Sequence, residues 1–337
     1  MADVGLGQVV TTTGRARGKV ARDAVKDSHP VYSAMEKHGG IRREDGGRTV
    51  VEEALSGQNS SVAWVGANGS VSLADQNVVD AAESNWFYML ASVVWTLAER
   101  YQNSGASDTK IIDVVGSKFD AAEASMMNIF HAAMLSSGIG SGGLQMPGLA
   151  ALVSTTPTSG TVMTIDRSSS NAAWFRNQKF DTGADWSDGS ADTGNIKRLL
   201  TRSLNLTAQD LNEAGVQLGL LGSTHYEYLD AAINAIQQIT NTDGSGKAGF
   251  RKLFYQGIPM YFSGGLTYSS QLQQTATRSY LLNVKRGGVN LVFHDKAEFD
   301  MLEPVNSQDQ AAVSRLFFTM ACMTIGGHAK KNVVVFD

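Results

Sequence analysis

Residues 160–178 read GTVMTIDRSSSNAAWFRNQ. A turn glycine and a β-branched run lead into Asp166 and Arg167, which are followed by a triple serine, two aromatic residues and Arg176. The stretch fits three interpretations: a nucleophile loop, a phosphate cradle or a structural hairpin. The serines do not stand in a G-x-S-x-G elbow, and none of the six histidines lies in a pattern that nominates it as their base. We therefore predict a structural hairpin, held by arginine forks that hydrogen-bond a nearby carboxylate.

The remaining motifs offer no stronger chemistry. GIGSGG at 138–143 follows a predicted helix, whereas a dinucleotide-binding loop follows a strand and precedes a helix. No H-x-x-x-H or H-E-x-x-H pattern predicts a helical zinc site. We predict that the chain is not an enzyme and uses no cofactor and no metal.

The composition indicates a soluble globular chain. Of its 337 residues 42% are hydrophobic and 18% charged, and the formal net charge of -4 supplies no overall basic field for nucleic acid. Neither a signal peptide nor a transmembrane helix is predicted. The one cysteine, Cys322, lies in the apolar run LFFTMACMTI and is predicted to be a buried, unreactive thiol.

Residues 1–46 and residues 47–97 differ in the sign of their charge. Residues 1–46 carry few large apolar side chains, and 14–26 hold five basic residues against one acidic residue. This segment is predicted to be an arm: a solvated tail, or one that lies on an acidic neighbour or nucleic acid. Residues 47–97 are predicted to form one long β-hairpin, with WFYMLASVVWTL as the return strand. From Thr49 to Leu97 there are five acidic and no basic residues, so the hairpin is expected to lie on a basic surface.

The rest of the chain alternates helices and strands. Apolar residues at spacings of three and four predict a helix over 107–137, roughly 45 Å long. The region 139–290 contains the tip-like DTGADWSDGSADTG, helices near 194–205 and from Thr224, and a hairpin turning at Gln256–Gly257. YLLNVKRGGVNLVFH is interpreted as a strand that leaves this region, and 291–337 is again strand-rich. The fold class is α+β.

Three features together carry a resemblance. An acidic hairpin precedes a very long helix; GLAALVSTTPTSGTVMTIDRSSSNAAWFRNQ (148–178) follows; and the end contains FRKLFYQGIPMYFSGG and RSYLLNVKRGGVNLVFH. This arrangement, with the pattern P-x-x-G-T-V-x-x-I-D-R and then W-F-R-N, resembles the major capsid proteins of tailed bacteriophages that have the Hong Kong 97 phage fold. The resemblance covers roughly residues 47–337.

The resemblance implies an architecture and a function. It implies an N-terminal arm (1–46), an extended β-hairpin loop (47–97), a peripheral domain with a spine helix at 107–137 (98–138 and 291–337), and an axial domain (139–290). The function implied is that of a shell subunit in the virion, assembled in the host cytoplasm as pentamers and hexamers around double-stranded DNA that is not bound by sequence. Separate scaffolding, portal and decoration proteins are expected partners, and no membrane is involved.

The charge pattern and the resemblance nominate contact residues. The acidic loop is expected to lie on basic residues of a neighbour, with Lys110, Lys118, Lys197, Arg198 and Arg202 as candidates. Because the loop has no lysine, a covalent lysine–asparagine cross-link is not expected to start from it. The full set of candidate inter-subunit or framework residues is Glu52, Glu53, Trp64, Asp75, Trp86, Lys110, Lys118, Asp166, Arg167, Trp174 and Arg176.

Two other functions remain open at this stage. An encapsulin-like compartment shares the implied fold but encloses protein, so the contents of purified particles would distinguish it from a virus. A soluble α+β enzyme or binding protein, by contrast, predicts a small oligomer with a polar pocket.

Overall fold

The computed structural model describes residues 30–57, 61–70, 78–97, 108–208, 215–233, 252–262, 277–306 and 311–337. Its α-helices are α1 (Pro30–Lys37), α2 (Asp108–Leu135), α3 (Leu149–Leu152), α4 (Ile196–Thr207) and α5 (Ser223–Ala232). Short 3-10 helices span Gly140–Gly143, Ser170–Phe175 and Ala329–Lys331. In chain order the strands are β1 (Ile41–Glu44), β2 (Thr49–Leu55), β3 (Val79–Asn85), β4 (Phe87–Thr96), β5 (Thr161–Val162), β6 (Ile165–Asp166), β7 (Gln178–Asp181), β8 (Leu218–Leu221), β9 (Lys252–Tyr255), β10 (Ile258–Phe262), β11 (Arg278–Leu282), β12 (Val289–His294), β13 (Asp300–Met301), β14 (Val305–Asn306), β15 (Ala312–Ile325) and β16 (Val333–Phe336).

The first six-stranded sheet is built around β15, a predominantly apolar strand of 14 residues. On one side β15 pairs antiparallel with β4, from Ala312 opposite Thr96 to Ala321 opposite Phe87. On its other side it pairs with β12, β13 and β14, and β1 joins the outer edge of β12 in parallel. Cys322 is buried in this strand, and burial raises the pKa of its thiol to about 12. The prediction of an unreactive thiol is confirmed, because at neutral pH the thiolate is scarcely populated.

Helix α2 crosses one face of this sheet and confirms the predicted long helix. It has 28 residues, about 42 Å at 1.5 Å per residue. Phe119 packs 6.0 Å from both Trp95 and Phe317, and Phe130 lies 5.3 Å from Phe299, measured between ring centroids. The helix is therefore fixed by aromatic contacts to strands from both ends of the chain.

The second six-stranded sheet has the order β7-β16-β11-β8-β10-β9 and is buried on both faces. Successive residues of its central strands point to opposite sides. Tyr280 and Leu282 face the core that is shared with α2, whereas Leu281 faces a separate core beneath α4 and α5. Covering both faces explains why LGLL and VVVF are apolar at every side-chain position. The predicted helices near 194–205 and from Thr224 are confirmed as α4 and α5, and the predicted Gln256–Gly257 turn joins β9 to β10.

The predicted hairpin over 47–97 was wrong in extent. Its paired part is β2 with β3, from Thr49 opposite Asn85 to Leu55 opposite Val79. The supposed return strand passes Trp86 and becomes β4 of the first sheet. The physical reason is that β15 offers β4 ten paired positions along a predominantly apolar strand, whereas β2 has only seven residues to pair.

Two other predictions need correction. Residues 30–44 are not a free arm, because α1 buries Val31, Tyr32 and Met35 almost completely and β1 is part of the first sheet. The basic cluster at 14–26 lies outside the described residues. YLLNVKRGGVNLVFH is two strands in different sheets, β11 and β12, separated by a turn at Gly287 (φ 85°). The last strand, β16, pairs in the second sheet. The sequence analysis had instead assigned all of 291–337 to the peripheral domain, together with the long helix.

The stretch at 160–178 confirms a structural hairpin, held differently from the prediction. Met163 and Thr164 have positive φ values of 49° and 66° and turn β5 into β6. The fully buried Arg167 does not bind Asp166; it donates to the carbonyls of Ala151 (3.1 Å) and Leu152 (2.5 Å) and lies over the Phe175 ring. Burial lowers the pKa of its guanidinium to about 10, so it stays charged at neutral pH.

The remaining polar groups of this stretch also act locally. Arg176 donates to the carbonyls of Arg167 and Ser169, both at 2.8 Å. Asp166 is exposed and accepts hydrogen bonds from the amide and hydroxyl of Ser168, and these bonds lower the pKa of its carboxyl. Trp174 is buried against Phe175, with ring centroids 5.3 Å apart. The arginines therefore fix the loop through backbone carbonyls and not through the predicted carboxylate.

We expect Arg167→Lys to lower the free energy of unfolding by about 2–3 kcal/mol, because an amine cannot reproduce the fork onto two carbonyls in a buried site. Chemical denaturation of the purified chain measures this loss. Arg176→Lys is the matched control, with an expected loss of less than about 1 kcal/mol because its site is partly exposed. Equal losses in the two variants would contradict the role assigned to Arg167.

Candidate inter-subunit surfaces

The base of the β2–β3 hairpin is locked to the first sheet by a buried acid. The Glu52 carboxylate, only 6% exposed as a residue, forms an ion pair with Arg42 of β1 and accepts a hydrogen bond from the Thr324 hydroxyl of β15 (2.8 Å). Beside it, the indole N–H of the buried Trp86 donates to the carbonyl of Gly47 (3.1 Å). Glu52 and Trp86 are thus framework residues of their own chain. The expectation that Glu52 contacts a basic residue of a neighbour is wrong.

A second contact fixes the other strand of the hairpin. The amide of Glu83 in β3 donates to the Met163 carbonyl (3.1 Å) and lies 3.4 Å from the Thr164 hydroxyl, at the turn of the β5–β6 hairpin. The sulfur of Met163 in turn accepts from the amide of Ile325 (3.3 Å). The β5–β6 turn, within residues 160–178, therefore connects the extended hairpin to the first sheet.

Beyond this locked base the hairpin exposes apolar side chains. Leu55 is 77% exposed, Val62 83% and Trp64 fully exposed. Glu53 is also exposed, one residue from the buried Glu52. The predicted contact residue Asp75 lies outside the described residues. Several exposed apolar side chains at the same end of a hairpin leave a large apolar surface in water, which makes this end a candidate interaction site.

The basic residues that were proposed to contact the acidic loop of a neighbour lie on two different helices, α2 and α4. Lys118 on α2 lies beside β4, and its ammonium is 3.4 Å from the Val94 carbonyl. On α4, Arg198 pairs with Asp188 and lies over the Trp186 ring, and Arg202 lies over Phe180 and Trp186. Trp186, in the middle of the tip-like segment, is therefore buried by its own chain. Lys110 is within α2, but its side chain is outside the described part; Lys197 is on α4.

The structure contains one buried group of polar side chains that the sequence analysis did not predict. Ser279, His225 and Asp337 form a line in which the serine hydroxyl is 2.8 Å from His225 Nδ1, and His225 Nε2 is 3.7 Å from the Asp337 carboxylate. Ser279 and His225 are both completely buried. The serine hydroxyl also lies 3.3 Å from the amide of Gly222, at the start of α5. In a catalytic triad the serine hydroxyl contacts Nε2 and the carboxylate contacts Nδ1, whereas here the two ring nitrogens are exchanged, and burial denies a substrate access to the hydroxyl. The line therefore has a structural role and links β11, α5 and Asp337.

Asp337 is the electrostatic anchor of that line. Burial by itself would raise the pKa of its carboxyl, but the adjacent His225 imidazole and hydrogen bonds from the Thr182 hydroxyl and the Ala191 amide outweigh burial and lower the pKa to about 2. The carboxylate is therefore charged throughout the neutral range. No motif signals this site, since its members come from four separate stretches of sequence.

Other kinds of site find no support in the part of the chain that the structure describes. No group of three or more histidine, cysteine, aspartate or glutamate side chains there is arranged to hold a metal ion. Nor is any described helix both long and apolar enough to cross a membrane.

Comparison with known proteins identifies the fold. No family model matches the sequence, and no curated protein matches it. Among solved structures, the chain is similar to the capsid of cyanophage A-1(L), with a TM-score of 0.63 and 12% identity over 91% of this chain and 92% of that chain. The capsid of an empty GTA particle gives a TM-score of 0.52 and 11% identity, over 90% of this chain and 89% of that chain. The SrpI encapsulin of Synechococcus elongatus gives 0.51 and 11%, over 88% and 84%.

The chain has the Hong Kong 97 phage-type fold. The fold predicted from the sequence, an α+β chain of this type, is confirmed across about nine tenths of its length. Because viral and encapsulin structures both match, the likeness establishes the fold and leaves the function to be argued from the surfaces.

We expect Glu52→Gln to destabilise the isolated chain, because the substitution leaves Arg42 beside a neutral amide in a buried position. The expected loss in the free energy of unfolding is about 2–3 kcal/mol. Thermal or chemical unfolding measures it. Glu53→Gln, one residue away and exposed, is the control and should cost less than about 0.5 kcal/mol. A Glu52 variant as stable as the Glu53 variant would show that the hairpin base is not held by this pair.

We expect Asp337 to contribute stability that depends on pH in the acid range. Its pKa falls from 3.8 to about 2 on folding, so the contribution is complete above 3.8 and is lost as the pH falls through about 2. The difference in thermal midpoint between the natural chain and Asp337→Asn should therefore be largest above pH 4 and shrink toward pH 2. A difference that stays constant over this range would contradict the assignment.

Proposed function

We propose that this protein is a major capsid protein, the subunit that assembles in many copies into the icosahedral head shell of a tailed bacteriophage. The observation that carries the proposal is the extended hairpin. Its base is joined to the first sheet through Glu52, whereas Trp64, beyond that base, is fully exposed. A rigid element with an exposed apolar end requires a partner surface, and in a self-assembling shell every copy supplies one to the next.

The physics of assembly suits such a chain. Full burial of one large apolar side chain is worth about 1.5–3 kcal/mol, which is too little to hold two copies together in dilute solution. A shell subunit touches several neighbours at once, so many modest contacts add up to a stable particle. Exposed charges such as Glu53 contribute about 1 kcal/mol or less each, and they act chiefly on the choice of neighbour.

The domain assignment follows from the fold type and stays part of the proposal. The arm would comprise the residues before α1, and the extended loop would be the β2–β3 hairpin with its tip. The first sheet with α2 would form the peripheral domain, and the second sheet with α4 and α5 the axial domain that meets its copies at five-fold and six-fold positions. Residues 291–337 would belong to the peripheral domain except for β16.

The contents and partners of the shell are also proposals. A net charge of -4 suits a container that encloses double-stranded DNA without binding its sequence. The particle would be the virion head, assembled in the host cytoplasm with separate scaffolding, portal and decoration proteins and without a membrane. The subunit's role would be structural and not enzymatic.

A second function is favoured by one observation. The likeness to the SrpI encapsulin covers 88% of the chain, so an encapsulin-like compartment that encloses protein is the alternative.

Electron microscopy of the purified full-length chain tests the proposal. We expect closed icosahedral particles of megadalton mass, and particles isolated from the natural source should contain nuclease-protected DNA. Particles from that source filled with protein and free of DNA would favour the encapsulin alternative. A stable monomer or small oligomer at all concentrations would reject both shell functions.

A further inference from the structure

Three basic side chains are exposed where the chain passes between its two large sheets. Lys285 and Arg286 are in the turn that joins β11 of the second sheet to β12 of the first, and Lys330 is in the 3-10 helix Ala329–Lys331. None of the three forms an ion pair with a residue that the structure describes. We call Lys285, Arg286 and Lys330 the junction patch.

Two buried asparagines hold the loops of the junction patch together. The side-chain carbonyl of Asn332 accepts a hydrogen bond from the backbone amide of Asn283 (2.8 Å), and its side-chain amide donates to the His328 carbonyl (3.0 Å). The side-chain carbonyl of Asn283 accepts from the backbone amide of Lys285 (3.0 Å). The backbone amide of His328 donates to the Gly287 carbonyl (2.8 Å). Both asparagines are almost completely buried, so the two loops form one supported platform.

The turn that carries Lys285 and Arg286 has a tightly constrained backbone. Gly287 adopts a positive φ of 85°, which favours glycine. A β-carbon on Gly288 would collide with the Asn283 carbonyl oxygen, and the Gly288 amide donates to the Lys285 carbonyl (2.8 Å). The exposed basic groups are therefore presented from a fixed position.

The nearby carboxylates do not neutralise the junction patch. Glu52 pairs with Arg42, and the Glu44 carboxylate lies 3.9 Å from the same guanidinium. Burial chiefly lowers the pKa of Arg42, and repulsion by Arg286 lowers it further against the opposing effect of Glu44. The charge of Arg286 thus acts on a neighbouring cation without a carboxylate of its own, and an anion from outside the chain would relieve this repulsion.

The composition of this surface indicates an extended polyanion as its partner. The whole chain has a net charge of -4, so a cluster of three uncompensated cations is a local departure from the overall charge. No large apolar side chain is exposed in either loop, at 283–288 or 326–331, so an apolar peptide would gain little there. Lysine and arginine on separate loops suit a backbone of repeated phosphates, which they contact without reading the bases.

We propose that the junction patch binds the phosphate backbone of double-stranded DNA without reading its sequence. This inference rests on the proposed function and gives the shell subunit a surface for the enclosed genome. Three basic groups that each neutralise one phosphate contribute about 2.7 to the slope of log Kd against log salt concentration, at about 0.9 for each contact. Such binding is weak and independent of sequence, so the DNA is held loosely and can still leave the shell.

Binding of a fluorescein-labelled DNA duplex to the unassembled full-length chain tests the proposal without requiring a shell. Fluorescence anisotropy over a series of salt concentrations gives the slope. The patch variant carries Lys285→Gln, Arg286→Gln and Lys330→Gln together, and we expect its slope to be lower than that of the natural chain by about 2.7. The basic cluster at 14–26 is unchanged in this variant, and circular dichroism checks that the variant folds.

A matched control removes the same number of lysines and arginines elsewhere on the chain. It carries Arg48→Gln, Lys118→Gln and Lys296→Gln. Arg48 and Lys296 follow the ends of β1 and β12 that are farthest from the junction patch, and Lys118 is on α2. We expect the control to change the slope by less than about 0.9, the value of one phosphate contact. Equal changes in the two variants, or no binding of the duplex by the natural chain at low salt, would overturn the proposal.

Lysine acetylation in particles from the natural source tests the contact in the assembled state. Particles that contain DNA and particles emptied of it are treated with a small acetylating reagent, and mass spectrometry gives the rate at each lysine. We expect Lys285 and Lys330 to react at least about fivefold more slowly in the filled particles, because a phosphate shields the ammonium that it contacts, whereas Lys118 and Lys296 should not change. Equal rates with and without DNA would overturn the proposal, including the case in which an acidic segment of a neighbouring copy covers the patch. Absence of particles would reject the proposed function, while the duplex assay would still decide whether the patch binds DNA.

Discussion

The ladder between β4 and β15 is the constraint on which the rest of the structure depends. It pairs ten residues from the first third of the chain with the last long strand, and so fixes the direction in which every side chain of β4 points. Its odd-numbered residues face α2, where Trp95 packs against Phe119. Its even-numbered residues are left at the surface. A shift of one residue in this register would bury Leu90 and expose Trp95, and α2 would lose the contact between Phe119 and Trp95.

The extended hairpin takes its position from the same ladder, because β3 continues through Trp86 into β4. Three polar contacts then hold the hairpin at its base: Glu52 with Arg42 and Thr324, the Trp86 indole with Gly47, and the Glu83 amide with the β5–β6 turn. Each joins segments that are distant in sequence. The hairpin is therefore fixed to the first sheet at its base, while Val62 and Trp64 beyond it are exposed.

In the hairpin, burial does not follow the polarity of the side chains. This is why the sequence analysis placed the buried Glu52 in contact with a neighbouring subunit. In β2 the buried residues are Val50, Glu52 and Ala54, while Val51, Glu53 and Leu55 are exposed. An acid adjacent to another acid in a strand gives no sign that one of them is buried, since its partners, Arg42 and Thr324, come from β1 and β15. The same applies to Arg167, whose acceptors are backbone carbonyls, and to the line of Ser279, His225 and Asp337. Sequence spacing cannot reveal partners that only the packing of two sheets brings together.

The sequence by itself determined what depends on local pattern: the long helix at 108–135, a structural hairpin within 160–178, the turn at Gln256–Gly257, the buried thiol of Cys322 and, through the order of its elements, the α+β fold. These follow from periodicity and backbone preference, which act over a few residues. The tertiary structure alone decided which strand pairs with β4, that YLLNVKRGGVNLVFH divides between two sheets, and which of two adjacent glutamates is buried. The reason is physical: pairing and burial are set by whichever distant segment offers the largest matched surface, and that choice is made only when the whole chain packs together.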